Sequence, residues 1–108
     1  MDFSQYQKLS QQTAFYLEKD RFVYPTLGLA GEAGEVAEKI KKVLRDNGGI
    51  VDKETKEKIF KELGDVLWYV SQLATELGLS LEEIAQANIA KLKDRQKRNK
   101  LSGSGDER

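Results

Sequence analysis

Apolar residues recur along this chain every three or four positions, and Thr, Val and Ile never alternate with polar residues as a half-buried strand requires. The pattern predicts four helices. The first runs from about Asp2 to Lys19, with Phe3, Tyr6, Leu9, Thr13 and Leu17 at helical spacing on a narrow aromatic face. Arg21 to Tyr24 reads as a connector. Pro25 and Thr26 mark the approach to a second helix, which stops at Asn47-Gly48-Gly49. Asp52 with Thr55 opens a third helix that ends at Glu76-Leu77-Gly78, where Gly supplies the cap. Ser80-Leu-Glu-Glu83 is a capping box that starts a fourth helix reaching about Arg98. Short loops make consecutive helices antiparallel, so the expected fold is all-α and four-helix-bundle-like, a single domain over 1–101. Ser102 to Arg108 reads as a disordered tail.

The second and third helices share one layout. At about 100° per residue from Glu32, the residues Val43, Val36, Ile40, Ala33, Leu44 and Ala37 fall between about 20° and 140°. Counted from Glu62, the residues Leu73, Val66, Ile59, Val70, Leu63, Ala74 and Leu67 fill the same arc. At the edge of each stripe sits one copy of an acidic hexapeptide: Glu32-Ala-Gly-Glu-Val-Ala37 and Glu62-Leu-Gly-Asp-Val-Leu67. Each copy sets two carboxylates side by side on one helix face. If the helices pack antiparallel through their stripes, Glu32, Glu35, Glu62 and Asp65 meet at one seam.

Four clustered carboxylates repel, and keeping them near a core requires a counter-charge. The chain has no His and no Cys. A hard divalent cation such as magnesium is therefore the natural partner, which points to phosphate chemistry. Gly34 and Gly64 occupy matching offsets, where a mid-helix Gly costs about 1 kcal/mol relative to Ala, so a close approach is expected at both. Either acidic pair alone also fits a solvated helix face. Both together, in matching register, argue against that.

Composition narrows the classes further. With 108 residues there is room for one modest core. Lys plus Arg equals Asp plus Glu at 18 each, so no overall field recommends nucleic acid or an anionic membrane as partner. No basic region precedes an apolar run at the start, and nowhere do eighteen apolar residues run together, so a soluble cytoplasmic protein is expected.

The acidic words, Gly28-Leu-Ala-Gly-Glu-Ala-Gly-Glu-Val-Ala37 and Glu62-Leu-Gly-Asp-Val-Leu-Trp-Tyr69, resemble the signature of the MazG-like branch of the all-α nucleoside triphosphate pyrophosphohydrolases. That superfamily also contains dimeric dUTPases and phosphoribosyl-ATP pyrophosphohydrolase. The likeness extends through Asn88-Ile-Ala-Lys-Leu-Lys-Asp-Arg95 and covers about residues 25 to 98. It implies hydrolysis of an NTP or dNTP between the α and β phosphates, giving a nucleoside monophosphate and pyrophosphate. It implies magnesium, with manganese as a substitute, held by Glu32, Glu35, Glu62 and Asp65, one of which or a neighbour activates the attacking water. It also implies a homodimer or homotetramer, with sites shared between chains. Some relatives carry an acidic residue just before the first Glu, where this chain has Gly31.

Other polar groups are candidates for substrate contact. Asn88, Lys91 and Arg95 share a face of the fourth helix and suit phosphate oxygens distal to the metal, although the same residues read as a solvated basic face. Lys39 and Lys42 lie near the first acidic pair, and simple pairing with Glu35 and Glu38 also explains them. Tyr69 follows Asp65 by one helical turn and could wall a nucleotide pocket, while Tyr16 could stack on a base. Trp68 points elsewhere, as an interface anchor does. The competing classes are a phosphoribosyl-ATP hydrolase and a non-catalytic helical dimerisation module.

Overall fold

The computed structural model describes residues 1–99 and 101–108, and among them helices are the regular structure, ordered α1 (Phe3–Gln11), a 3₁₀ turn (Glu18–Asp20), α2 (Val23–Asp46), α3 (Lys53–Glu76) and α4 (Leu81–Lys97). The all-α architecture is as expected. α2 and α3 form a long antiparallel hairpin, α1 packs on α3, and α1 also meets α4.

Local chemistry sets most of the boundaries. The Asp52 carboxylate accepts from the Thr55 N–H at 2.8 Å and starts α3; the Ser80 hydroxyl accepts from the Glu83 N–H at 3.2 Å and starts α4. At the α3 terminus Gly78 takes φ +70°, which lets Leu79 N–H reach Ala74 O and Gly78 N–H reach Thr75 O.

The first helix departs from expectation. It stops at Gln11 and not near Lys19, because the chain tightens into three-residue turns at Gln12, Thr13 and Ala14. Thr13 is the pivot: its hydroxyl donates to Ser10 O at 2.7 Å and accepts the Trp68 indole N–H at 2.8 Å. Trp68 thereby takes a partner within its own chain. Conversely, α2 begins at Val23, so Pro25 lies inside its first turn, where the missing N–H has no intrahelical partner to lose.

Gln7 stitches α1 to the α3–α4 corner, donating to Thr75 Oγ1 at 3.0 Å and Leu79 O at 2.9 Å and accepting from Leu81 N–H at 2.9 Å. Ser10 and Ser71 share a buried hydrogen bond of 2.8 Å. The apolar core is thin. Among the described residues the buried hydrophobic side chains are Val43, Ala74 and Leu81, whereas Leu44 is 68% and Leu27 66% exposed. The accessible surface is 8121 Å², against about 6,000 Å² for a typical monomer of this mass. The radius of gyration, 16.7 Å, likewise exceeds the roughly 13 Å of a compact chain of this length.

Candidate active site

The hairpin geometry turns the two acidic words toward each other. Carboxylate oxygens of Glu32, Glu62 and Asp65 all lie within 4.8 Å of one another. Glu35, one turn along α2, stands outside this group, with its Oε2 at 3.7 Å from Lys39 Nζ. Lys39 also reaches across to Glu62 Oε1 at 3.3 Å, so a single ammonium ties both acidic words together. Charge opposition within the trio is strong. The Glu32 carboxyl is pushed up to about 7 by its hydrogen bond to Glu62, then by burial and by the charges of Glu62, Asp65 and Glu35. Glu62 moves the other way, held below the usual carboxylate range by hydrogen bonds from Glu32 and Lys39. The two therefore share a proton, a familiar outcome for carboxylates that cannot both ionise cheaply. Glu62 Oε2 is buried without a hydrogen-bond partner. Three converging carboxylates, one with an orphaned oxygen, in a chain that has no His or Cys to offer a softer ligand, fit magnesium or manganese.

Aromatic rings border the cluster. Tyr69 lies edge-on to Trp68, with centroids 5.0 Å apart, and tilted against Tyr24 at 6.2 Å. Its hydroxyl is pushed up by burial first, then by a hydrogen bond to Tyr24 and by the charges of Glu32 and Asp65, which puts the ring beside the carboxylates. Tyr16 stacks on Tyr24 at 5.2 Å and 21°, extending this wall away from the acids. Tyr24 lay in the stretch read as a connector, so periodicity could not single it out. Tyr6 feels the Asp65 charge and lines a cavity of about 330 Å³ with Met1, Asp2, Phe3, Leu67 and Glu82.

The close approach expected at Gly34 and Gly64 is absent: a methyl group at either position meets nothing within 4 Å. It occurs instead at Gly28, where a Cβ would overlap the Tyr69 ring. Only a residue without a side chain lets that ring approach α2 so closely.

The remaining candidates stand apart. Lys42 lies 3.9 Å from Glu38 and lines, with Lys39, Thr55 and Lys58, a groove of about 460 Å³ toward the hairpin loop. Asn88 is exposed on α4. Lys91 and Arg95 do share a face, but what they hold is Asp106 of the C-terminal segment. The charges that act most on Glu32 and Glu62 are each other's and those of Asp65, Glu35 and Lys39, and α4 packs only weakly on the hairpin. Within one chain the acidic seam and the basic face are separate.

Comparison with known proteins bears on the hairpin and on α4. The family model for the MazG nucleotide pyrophosphohydrolase domain matches residues 25–99. The Gene 37 protein of Mycobacterium phage L5 is 49% identical over 85 residues, covering 79% of this chain and 75% of the phage protein. No solved structure matches the chain significantly.

Proposed function

The chain belongs to the MazG nucleotide pyrophosphohydrolase family, hydrolases of nucleotide phosphoanhydride bonds, and on that premise we propose that it cleaves NTPs or dNTPs between the α and β phosphates, releasing a nucleoside monophosphate and pyrophosphate. The observation that carries this reading is the convergence of Glu32, Glu62 and Asp65 within 4.8 Å, inside the matched segment. These three hold magnesium, or manganese in its place, and Glu35 completes the set from the next turn of α2. When bound, the ion neutralises the phosphate chain, polarises the phosphoryl group under attack and acidifies a coordinated water.

The protein's own groups do the rest. Lys39 keeps Glu62 ionised and aimed into the seam until substrate arrives. Tyr69, seated on Gly28, walls the nucleotide beside the carboxylates, while Tyr16 with Tyr24 offers a flat apolar surface to the base. Lys42 extends the positive charge along the hairpin groove. Asn88, Lys91 and Arg95 take the distal phosphates.

Because α4 stands apart from the acidic seam within one chain, the complete site forms between copies. An exposed apolar α2 face and roughly 2,000 Å² of surface per chain beyond the monomer norm support a homodimer or homotetramer, for burying that excess on two chains is about 4,000 Å², the range of obligate homodimers. Mixing an inactive Glu62→Gln chain with an inactive Arg95→Gln chain should restore part of the activity; no recovery in mixed oligomers removes the shared site. The protein acts in the cytoplasm, where free nucleotides and magnesium are found together.

The direct test is a panel of canonical and modified NTPs, dNTPs and phosphoribosyl-ATP, assayed for pyrophosphate with and without magnesium. Release that requires the metal and is lost in Glu35→Gln and Asp65→Asn, with helicity unchanged by circular dichroism, supports the reading. Equal turnover in those variants overturns it.

A further inference from the structure

Arg95 is 4% exposed, an unusual burial for an arginine on a helix facing a chain terminus. Its guanidinium engages Asp106 alone among the described residues, bonding both the backbone oxygen and, at 3.1 Å, the Oδ1 of that residue. Lys91 Nζ binds the same Oδ1 at 2.6 Å. One oxygen is thus held by a guanidinium and an ammonium one helical turn apart, the arrangement expected for a phosphate oxygen. The occupant is a carboxylate on a segment with no helix of its own, and Asp106 is 78% exposed.

We propose that residues 101–108 form a pseudo-substrate strap: the Asp106 carboxylate fills the anion seat of Lys91 and Arg95, and yields it to a nucleotide phosphate. The inference rests on the reading that Lys91 and Arg95 bind phosphate, and it adds how access to them is regulated.

Three features suit the segment to this task. It is joined to α4 through Ser102-Gly-Ser-Gly, whose glycines take φ +108° and +85°, conformations in which glycine interconverts freely. Its hydrogen bonds are with α4 and within itself, so release breaks no hydrogen bond of α1, α2 or α3. Hydrogen bonds from Lys91 and then Arg95 hold the Asp106 carboxyl below its ordinary range, so it stays charged wherever the enzyme operates. A phosphate carries more charge than one carboxylate and offers more acceptor oxygens, so it wins the seat at sufficient concentration. Until then the apparent affinity is reduced by the fraction of chains whose seat is open.

The test uses the full chain with Asp106→Asn, which keeps the shape and removes the charge, and Glu107→Gln as a control for net charge. KM and kcat are measured for the best nucleotide, and the dissociation constant of inorganic pyrophosphate is measured calorimetrically without metal. Asp106→Asn should lower both KM and the pyrophosphate constant by about threefold or more, the scale of an exposed ion pair, with kcat and the thermal midpoint unchanged. Glu107→Gln should change neither. The advantage of Asp106→Asn should shrink as salt is raised. Unchanged or weakened pyrophosphate binding in Asp106→Asn overturns the strap, as does a fall in thermal midpoint accompanied by a higher KM, which marks a structural clamp. If neither wild type nor variant releases pyrophosphate from any nucleotide, the catalytic reading fails, while the pyrophosphate constants still decide the strap.

Discussion

The acidic seam of the α2–α3 hairpin and the basic face of α4 solve opposite electrostatic problems. In the seam, like charges are forced together: Glu32, Glu62 and Asp65 share one small volume, relieved by a shared proton and by Lys39. On α4, unlike charges meet, and Lys91 and Arg95 are paired by Asp106. The seam stays unsatisfied because two long helices, each anchored along its length, hold its members in place. The basic face is satisfied by a segment that costs little to move. Unrelieved charge on rigid elements is what a metal and a phosphate chain can exploit, and displaceable charge is what a substrate can compete with.

The comparison breaks most visibly if the acids are not the reactive half. Asp65→Asn or Glu62→Gln should lower turnover by about 10²–10³-fold or more, the usual cost of removing a group that stabilises developing charge. Asp65→Asn should not cost stability in the metal-free chain, since it removes a charge that opposes Glu32, whereas Glu62→Gln also gives up the ion pair with Lys39. Lys91→Gln, by contrast, should act mainly through KM, raising it about tenfold with kcat little changed. A seam variant that acts only through KM, or an α4 variant that acts only through kcat, would exchange the two roles.

Proton linkage sharpens the same contrast. The Glu32 carboxyl is raised from 4.5 to about 7 in the folded chain, so between those values the folded state holds a proton that the unfolded state has lost. The Glu32 contribution to the stability of the metal-free protein is therefore fully present below 4.5 and is lost as pH climbs through about 7, opposite in sign to the contribution of the depressed Glu62 carboxyl. Magnesium must displace that proton, so its stabilising effect, read as a thermal shift, should be several degrees larger near pH 8 than near pH 6. A shift independent of pH would mean that the shared proton is not in the metal's way.

Packing gives smaller effects. Gly28→Ala should destabilise by about 1–3 kcal/mol despite alanine's better helix propensity, because the methyl displaces the Tyr69 ring. Gly34→Ala, with open space around it, should stabilise by about 0.5–1 kcal/mol; a loss in chemical denaturation would show that another chain or the substrate packs against that face.

Much of this was legible in the residues, and the failures have physical causes. The spans of α3 and α4 and the end of α2 followed from period and caps, because amphipathic stripes bounded by Asp52, Ser80, Gly48 and Gly78 leave little choice, whereas the uncapped start of α2 at Val23 fell in the stretch read as a connector. The first helix was overrun because the counting of apolar positions could not see that Thr13 would take a hydrogen bond from Trp68, a residue distant in sequence. The acidic repeat led to the expectation of four carboxylates at one seam, of which Glu32, Glu62 and Asp65 converge. The i,i+4 pairing of Glu35 with Lys39, which the spacing also offered, is present at 3.7 Å, and spacing alone could not decide between that pairing and a place in the seam. The glycines misled by symmetry: matching offsets drew attention to Gly34 and Gly64, while the tight contact fell at Gly28 under a ring from another helix. Tyr24 had no spacing to mark it, and Tyr6, though counted on the aromatic face of the first helix, had nothing to tie it to Asp65, for their place beside the site comes from packing.

α2 leans on α3 and leaves Leu27 and Leu44 facing outward. If, as proposed, a second copy completes the site, abundance becomes part of catalysis. When copies are scarce, output falls faster than headcount, because encounters between chains decline with the square of their number. Modest changes in expression would then switch nucleotide hydrolysis on or off without any dedicated regulator.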